Sequence, residues 1–307
     1  MSERLRADQT GEALKSRYTK EVLGPPRVYE LHYYPIKSCG GTLLQTAEIG
    51  PRGIVHDREF MVIDHETGLF KTQREDKLMA LVRPDLEGDV LTLRVPTMQE
   101  LKIPVVREGE IRRSIVWRDT TDGVDQGDEA AEWFSVFLKK PCRLVRMADD
   151  FVRQVDPNYA REDDQVGFAD GFPFLLTSEA SLMDLNRRIF EAHPDEKFIP
   201  MNRFRPNIAV SWIDTAFIED TWAEIQIGEV EFQVAKPCAR CPIPQTDQET
   251  SRRGKEPMRT LLSFRPKNAD GFPYFGQNLI HRNTGALRVG DLVTVLESKK
   301  GLSLIHI

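Results

Sequence analysis

The chain has 307 residues, of which 40% are hydrophobic and 29% charged, and its 42 basic and 48 acidic residues give a net charge of −6. This length suits two ordinary domains or one elaborate domain, and the hydrophobic fraction can form a real core, which excludes wholesale disorder. A negative chain is not expected to bind nucleic acid by neutralising phosphates, although it can still contain a local basic pocket. Its four cysteines are too few for a disulfide-rich secreted scaffold, and they suit a reducing compartment.

The N-terminal region, residues 1–27, is polar and mixed in charge. It contains no apolar segment of the kind found in signal peptides. No part of the chain approaches the roughly 18 consecutive apolar residues that a spanning helix requires. We therefore expect a flexible or helical lead-in that ends near Gly24-Pro25-Pro26, no membrane span, and a cytoplasmic location.

From Val28 onwards, short apolar segments and turn signals predict a series of strands. The predicted elements are a hairpin with strands at 60–63 and 69–72, a second hairpin with strands at 78–82 and 90–95, a helix at 128–139, a helix at 178–192 capped by Ser178 or Thr177, and strands at 208–210, 224–227, 229–234 and 287–296.

This pattern of many short strands and few helices predicts a β-dominated α+β fold. We expect two β-barrel-like lobes with a few peripheral helices. The irregular acidic stretch at 149–164 is the predicted connection between them. The resulting domains are 28–148 and 165–297, followed by a tail at 298–307.

The segment Cys238-Ala239-Arg240-Cys241 has the most reactive composition in the chain. Such a pair can belong to a zinc knuckle, to a dithiol–disulfide couple, or to a site where one thiolate ligates a softer metal. The other cysteines, Cys39 and Cys142, are isolated, which disfavours a four-ligand zinc site. Flanking prolines and the absence of a βαβ pattern disfavour a thioredoxin-like couple. Two buried loop cysteines without chemistry also fit the spacing.

Basic residues recur at the ends of predicted strands. Lys37 and Arg58 flank strands of the first lobe, and Arg205 precedes a strand of the second. Such cations can form an anion pocket in an acidic protein, or each can be a solvated surface charge. Phe204 and Pro206 would keep the backbone extended and direct Arg205 inwards.

Five segments occur in a characteristic order: YPIKSCGG at 34–41, RG and DR at 52–53 and 57–58, PFLLTSEASL at 173–182, RFRPN at 203–207, and CARC through Asp247 at 238–247. Together they resemble the MOSC proteins, whose name refers to the C-terminal domain of molybdenum-cofactor sulfurase. With an N-terminal MOSC β-barrel before the MOSC domain, the arrangement is similar to the mitochondrial amidoxime-reducing component and its bacterial relatives. The resemblance extends over residues 28–297.

The resemblance implies a molybdenum enzyme. In that family a pterin dithiolene and one cysteine thiolate hold an oxo-molybdenum centre, and the matching cysteine here is Cys241. Thiolates suit such soft, redox-active metals. The resemblance further implies two groups of cofactor-binding residues: Lys37, Ser38 and Arg58 for the pterin phosphate in the first domain, and Arg205 and Asn207 in the second.

Other implied cofactor contacts depart from the family pattern. Asp170 and Gly171 match a contacting stretch, but Gly171 stands where relatives carry a hydroxyl residue, so contact there would use the backbone. Beside Arg240, Ala239 stands where the animal reductases carry a Ser, and Asn278 stands where they carry a Tyr. These two departures bear on substrate preference more than on metal binding.

The leading hypothesis is a molybdenum-cofactor oxidoreductase that reduces N-hydroxylated compounds: amidoximes, hydroxylamines and N-hydroxylated bases. The sequence shows no ferredoxin-like domain and no four-cysteine cluster. We therefore expect electrons from a separate donor protein of the ferredoxin, flavin or cytochrome b5-type reductase class. Two alternatives remain open: a non-redox cofactor carrier or sulfur-handling module that uses Cys241 for delivery, and a redox-regulated binding protein without metal.

Overall fold

The computed structural model describes residues 24–299. Most of the predicted lead-in and the end of the predicted tail lie outside this range. The strands within it are β1 (Arg27–Tyr33), β2 (Thr42–Leu44), β3 (Thr46–Gly50), β4 (Gly53–Ile54), β5 (Phe60–Asp64), β6 (Arg83–Glu87), β7 (Val90–Val95), β8 (Met98–Pro104), β9 (Ile111–Val116), β10 (Asp119–Asp125), β11 (Cys142–Met147), β12 (Phe174–Ser178), β13 (Ile208–Ser211), β14 (Trp222–Ile227), β15 (Val230–Ala239), β16 (Tyr274–His281), β17 (Gly285–Arg288) and β18 (Val293–Ser298).

Helical segments are fewer than strands within residues 24–299. The α-helices are α1 (Asp128–Leu138), α2 (Glu179–Ala192) and α3 (Met258–Phe264), and 3-10 turns lie at Lys77–Leu81, Met201–Arg203, Ile218–Thr221 and Ile243–Gln245. Both predicted helices are confirmed, and Ser178 caps α2 by accepting a hydrogen bond from the amide of Ser181. No helix within residues 24–299 is long and apolar enough to cross a membrane.

The largest sheet has eight strands in the order β18-β14-β15-β16-β12-β13-β1-β2. Strands β12 and β13 run parallel, and the other neighbours are antiparallel. Side chains such as Phe174, Ile225 and Phe232 form one fully buried core against this sheet. A second core, which includes Leu185 and Phe275, packs α2 and α3 against it.

The remaining strands form three smaller sheets, ordered β5-β11-β10-β9, β6-β7-β8 and β17-β3-β4. Helix α1 packs on the first two of these through a core that includes Phe60, Leu93 and Phe134. The structure is thus strand-dominated with two curled half-barrel sheets, and the predicted β-dominated α+β class is confirmed. Strand pairing links the halves of the chain, because β1 and β2 join the large sheet and β17 pairs with β3.

Three local predictions were wrong or incomplete. The second hairpin uses β6, not residues 78–82, as the partner of β7. Residues Lys77–Leu81 instead form a 3-10 turn, in which the consecutive residues Met79 and Ala80 are both buried. Pro84 is tolerated in β6 because that strand lies at a sheet edge. Residues 69–72 form only isolated bridges rather than a strand, and the segment 287–296 divides between β17 and β18 in different sheets.

Candidate functional site

One cavity of about 160 Å³ contains every residue that the sequence singled out as a site residue. These residues come from loops and strand ends in both halves of the chain, and they are Lys37, Ser38, Arg58, Asp170, Gly171, Arg205, Asn207, Ala239, Arg240, Cys241 and Asn278. The fold therefore brings them together, while their individual roles remain predictions.

Lys37 is a buried cation at one end of this cavity. Its Nζ donates to the carbonyl oxygen of Phe168 at 2.7 Å and to Asp170 Oδ1 at 2.5 Å. Burial lowers the pKa of Lys37 to about 8, against the opposing effect of Asp170. Partial desolvation at the cavity wall would raise the pKa of Asp170, but Lys37 and Arg74 hold it below its usual range. The pair is therefore charged at neutral pH.

Two arginines lie against the ring of Tyr34. The guanidinium of Arg58 lies 4.1 Å from the ring centroid and that of Arg205 lies 4.3 Å from it. Arg58 Nη1 donates to Asp57 Oδ2 at 2.5 Å and to Asn207 Oδ1 at 3.1 Å. Burial raises the pKa of Tyr34 to about 12 and lowers that of Arg205 to about 10. Arg205 therefore keeps its charge at neutral pH although it is buried.

Three of the nine non-glycine residues with positive φ in the described part of the chain line this cavity. Ser38, Arg58 and Arg205 adopt φ values of 65°, 48° and 56° respectively, in the left-handed region that favours glycine. The extended backbone predicted at Arg205 was therefore wrong, because its amide donates to the Asn202 carbonyl at 3.2 Å in a turn, although its side chain is buried as predicted. Each such residue costs on the order of 1–3 kcal/mol and persists only where the surrounding structure enforces it, which is common at binding sites. The strain supports a functional role for this cavity.

The cysteine segment forms another wall of the cavity. Arg240 fixes it, since its backbone amide donates to the Pro273 carbonyl at 2.8 Å and its Nη2 to the Phe204 carbonyl at 2.7 Å. Arg240 Nη1 lies 3.1 Å from the Sγ of Cys238. Cys238 and Cys241 are half-buried free thiols that both line the cavity.

The remaining two cysteines differ in environment. Cys39 and Cys142 are buried, and their burial raises the pKa of Cys39 to about 12 and that of Cys142 to about 11. A buried, protonated thiol is a poor nucleophile and metal ligand. Thiol chemistry in this protein is therefore expected at the pair on the cavity wall.

Sequence reasoning missed one cation of the cavity, Arg74. Its guanidinium lies 4.4 Å from the centroid of the Trp117 ring, and its Nη2 lies 3.6 Å from Asp170 Oδ2. The indole Nε1 of Trp117 donates to Asp170 Oδ1 at 3.2 Å. Thr72, Ala169 and Ile243 also line the cavity without having been predicted. No motif marks Arg74, because its place at the cavity depends on long-range contacts.

The chemistry of the donors fits a phosphate-bearing cofactor that carries a soft metal. Arg58, Arg74 and Arg205 offer guanidinium groups suited to phosphate, and Cys241 offers a sulfur ligand. The buried Nε of Arg240 has no hydrogen-bond partner within residues 24–299, so a donor is left over. A Cβ on Gly171 would meet no atom within 4 Å, so there is open space beside its backbone.

Comparison with known proteins places the chain in a family. Residues 25–141 match the MOSC N-terminal beta barrel domain and residues 163–294 match the MOSC domain. Human mitochondrial amidoxime-reducing component 1 is 34% identical over 287 residues, covering 88% of this chain and 82% of the relative. Mitochondrial amidoxime reducing component 2 of Bos taurus is 37% identical over 288 residues, covering 87% and 82%.

Human molybdenum cofactor sulfurase is 28% identical over 276 residues, covering 85% of this chain but only 30% of that much longer protein. The amidoxime-reducing components are therefore similar to this chain over most of their own length, whereas the sulfurase shares only one part. The chain belongs to the MOSC family, in which an N-terminal MOSC β-barrel domain precedes the MOSC domain, and it is similar to the mitochondrial amidoxime-reducing components.

Proposed function

We propose that this protein binds the molybdenum cofactor in the cavity and reduces N-hydroxylated compounds, namely amidoximes, hydroxylamines or N-hydroxylated bases. The observation that carries the proposal is the meeting of the free thiol of Cys241 with the cations Lys37, Arg58 and Arg205 around one cavity. The names of the amidoxime-reducing relatives support the choice of substrate class.

In this proposal the cations bind the phosphate end of the cofactor, and the thiolate of Cys241 is the protein ligand of the metal. The bound cofactor supplies the two-electron chemistry, as cofactors generally do. Reduction breaks the N–O bond, consumes two electrons and two protons, and releases the N–H compound and water. The protein contributes position and electrostatics to this reaction.

The chain's own residues define the space in which the substrate reacts. Arg240, held by the carbonyls of Phe204 and Pro273, fixes the loop that carries Cys241. Asn278 on β16 lines the same cavity, and its carboxamide can both donate to and accept from an N–OH group. Ala239 adds no polar group, so we assign substrate orientation to Asn278.

The electrons are assigned to a separate donor protein of the ferredoxin, flavin or cytochrome b5-type reductase class. The word component in the relatives' name is consistent with such a division. We also propose a cytoplasmic location, which suits four cysteines that are all free thiols. The two matched domains at 25–141 and 163–294 support the proposed division of the chain at 28–148 and 165–297.

The test is reduction of benzamidoxime by the protein purified from a host that makes the molybdenum cofactor, with a chemical electron donor. We expect benzamidine formation by the wild type and none by Cys241→Ser. The similarity to molybdenum cofactor sulfurase favours, as a second candidate, a cofactor carrier or sulfur-handling module. Full molybdenum occupancy without any benzamidine would contradict the reductase and support that candidate.

A further inference from the structure

A surface groove of about 510 Å³ lies next to the cysteine segment. It runs between α3, the 3-10 turn at Ile243–Gln245 and the loop that precedes β16, and its walls include Pro242, Met258, Leu262, Asp270, Phe272 and Pro273. Apart from Pro242, which flanks the cysteine segment, no residue in this group was singled out by the sequence, and the relatives' names do not bear on it.

The groove and the cavity share a wall. Cys241 and Ile243 line the cavity, whereas Pro242, which lies between them in the chain, lines the groove. Pro273 also lines the groove, and its carbonyl accepts the hydrogen bond from the amide of Arg240. A ligand in the groove is therefore separated from the thiol of Cys241 by the thickness of one loop.

The volumes of the two spaces differ in a way that matters for a substrate. Pockets for small organic ligands usually measure about 300–1,000 Å³. The cavity at Cys241, at about 160 Å³, is the space assigned to the cofactor, so the body of an organic substrate needs a separate space beside it. The adjoining groove, at about 510 Å³, lies within the range.

The lining of the groove suits an uncharged, flat, apolar group. Phe272 and Leu262 expose 38% and 40% of their surface, and Met258 packs beneath as a buried residue. Arg259, which also lines the groove, forms ion pairs with Glu256 at 2.6 Å and with Glu196 at 3.0 Å.

Two further charges, Lys255 and Asp270, line the groove with opposite signs. The groove therefore offers apolar contact beside charges of both signs, with no cluster of one sign to attract an ion.

The loop that presents Phe272 is held in place before any ligand arrives. The backbone amide of Phe272 donates to Asn268 Oδ1 at 2.8 Å, and the amide of Asn268 donates to the Phe272 carbonyl at 2.9 Å. Gly271 supplies the positive φ of 82° that this turn requires. An aromatic side chain on such a fixed turn loses little freedom when a ligand stacks on it.

We propose that this groove binds the aromatic body of a neutral N-hydroxylated substrate, so that its N–OH group extends past Pro242 towards Cys241. This inference rests on the proposed function and assigns a place to the body of the substrate outside the cofactor cavity. It assigns Phe272 and Leu262 as residues that determine specificity for aromatic over small N-hydroxy compounds.

The test compares benzamidoxime with hydroxylamine, which has no body to fill the groove, in the cofactor-loaded enzyme. Burial of a phenyl group against Phe272 and Leu262 should strengthen substrate binding by about tenfold or more. We expect Phe272→Ser and Leu262→Arg to raise the KM for benzamidoxime by about tenfold and that for hydroxylamine far less. Matched controls are Phe190→Ser and Leu43→Arg, since both side chains are exposed elsewhere, and they should leave both KM values unchanged.

A second readout is benzamidoxime binding to the cofactor-free protein by titration calorimetry, because protein residues alone form the groove. We expect measurable binding that Phe272→Ser weakens and Phe190→Ser does not. Equal KM values for the groove variants and their controls, with equal heats of binding, would overturn the inference. If the wild type reduces neither compound yet Phe272→Ser weakens calorimetric binding, the proposed function fails while the groove assignment stands.

Discussion

Replacement of Arg74 by Gln tests whether the cations of the cavity hold an anion. The Arg74 side chain is 24% exposed, and its ion pair with Asp170 joins it to a carboxylate that is 58% exposed. Ion pairs with this much exposure contribute about 0–1 kcal/mol to stability. We therefore expect the cofactor-free fold of Arg74→Gln to melt within about 2 °C of the wild type.

The expected effect on the cofactor is larger. A charge-assisted hydrogen bond to a phosphate contributes about 1.5–3 kcal/mol, and about 1.4 kcal/mol corresponds to tenfold in affinity. Arg74→Gln should weaken cofactor retention by roughly ten- to a hundredfold. Arg205 and Arg58 are less suitable for this test, because their replacement would also remove contacts within the protein. Arg205 Nη1 donates to the Cys39 carbonyl at 2.5 Å, and Arg58 pairs with the buried Asp57.

The assay is the pterin content per chain after gel filtration, with thermal melts of the cofactor-free forms. The matched control is Arg118→Gln, which removes an exposed arginine beside Trp117 that does not line the cavity. We expect pterin to be lost from Arg74→Gln and kept by Arg118→Gln. Equal pterin content in both variants would refute the assignment of Arg74 to an anion site.

Three further predictions concern single side chains. Cys241→Ser should abolish turnover per bound pterin, although the cations should keep much of the cofactor bound. Cys238→Ser should lower that turnover far less, and equal losses of turnover in the two variants would favour a dithiol site. Burial lowers the pKa of Lys37 to about 8, so its charge is lost as pH rises through that value. The affinity of the cofactor-free protein for sulfate, measured by calorimetry, should then fall between about pH 7 and 9, and a flat profile would contradict this. Burial raises the pKa of Glu219 from 4.5 to about 7, so its ionisation destabilises the fold as pH rises across that interval. Glu219→Gln keeps an acceptor for the hydroxyl of Ser181. It should raise the Tm by about 5 °C at pH 8 and by little at pH 5. An unchanged Tm at both pH values would contradict this prediction.

The sequence was informative about the site because its residues lie in short segments with recognisable order. Arg205 and Asn207 precede β13, so strand prediction places them at the end of a strand. The predicted strand at 229–234 stops short of Ala239, because β15 continues to that residue. Arg74 carries no such signal. Its loop is positioned by Arg253, whose Nη2 donates to the Gln73 carbonyl at 2.6 Å from 180 residues further along the chain.

Strand identity was also easier to predict than strand partners. The alternation in Val90–Val95 marks a strand, but its partner β6 begins at Arg83 and contains Pro84, a residue that argues against strands in isolation. Likewise, nothing local to β1 indicates that it joins a strand from residues 208–211. Partner choice depends on which buried faces meet in the folded chain, and local patterns do not contain that information.

The central claim is that the cavity holds the molybdenum cofactor through the thiol of Cys241. The most direct measurement is elemental analysis of the protein, together with its pterin content, after purification from a cofactor-producing host. The account predicts about one molybdenum and one pterin per chain, as a soft metal on a single thiolate requires. Stoichiometric zinc without molybdenum or pterin would contradict it.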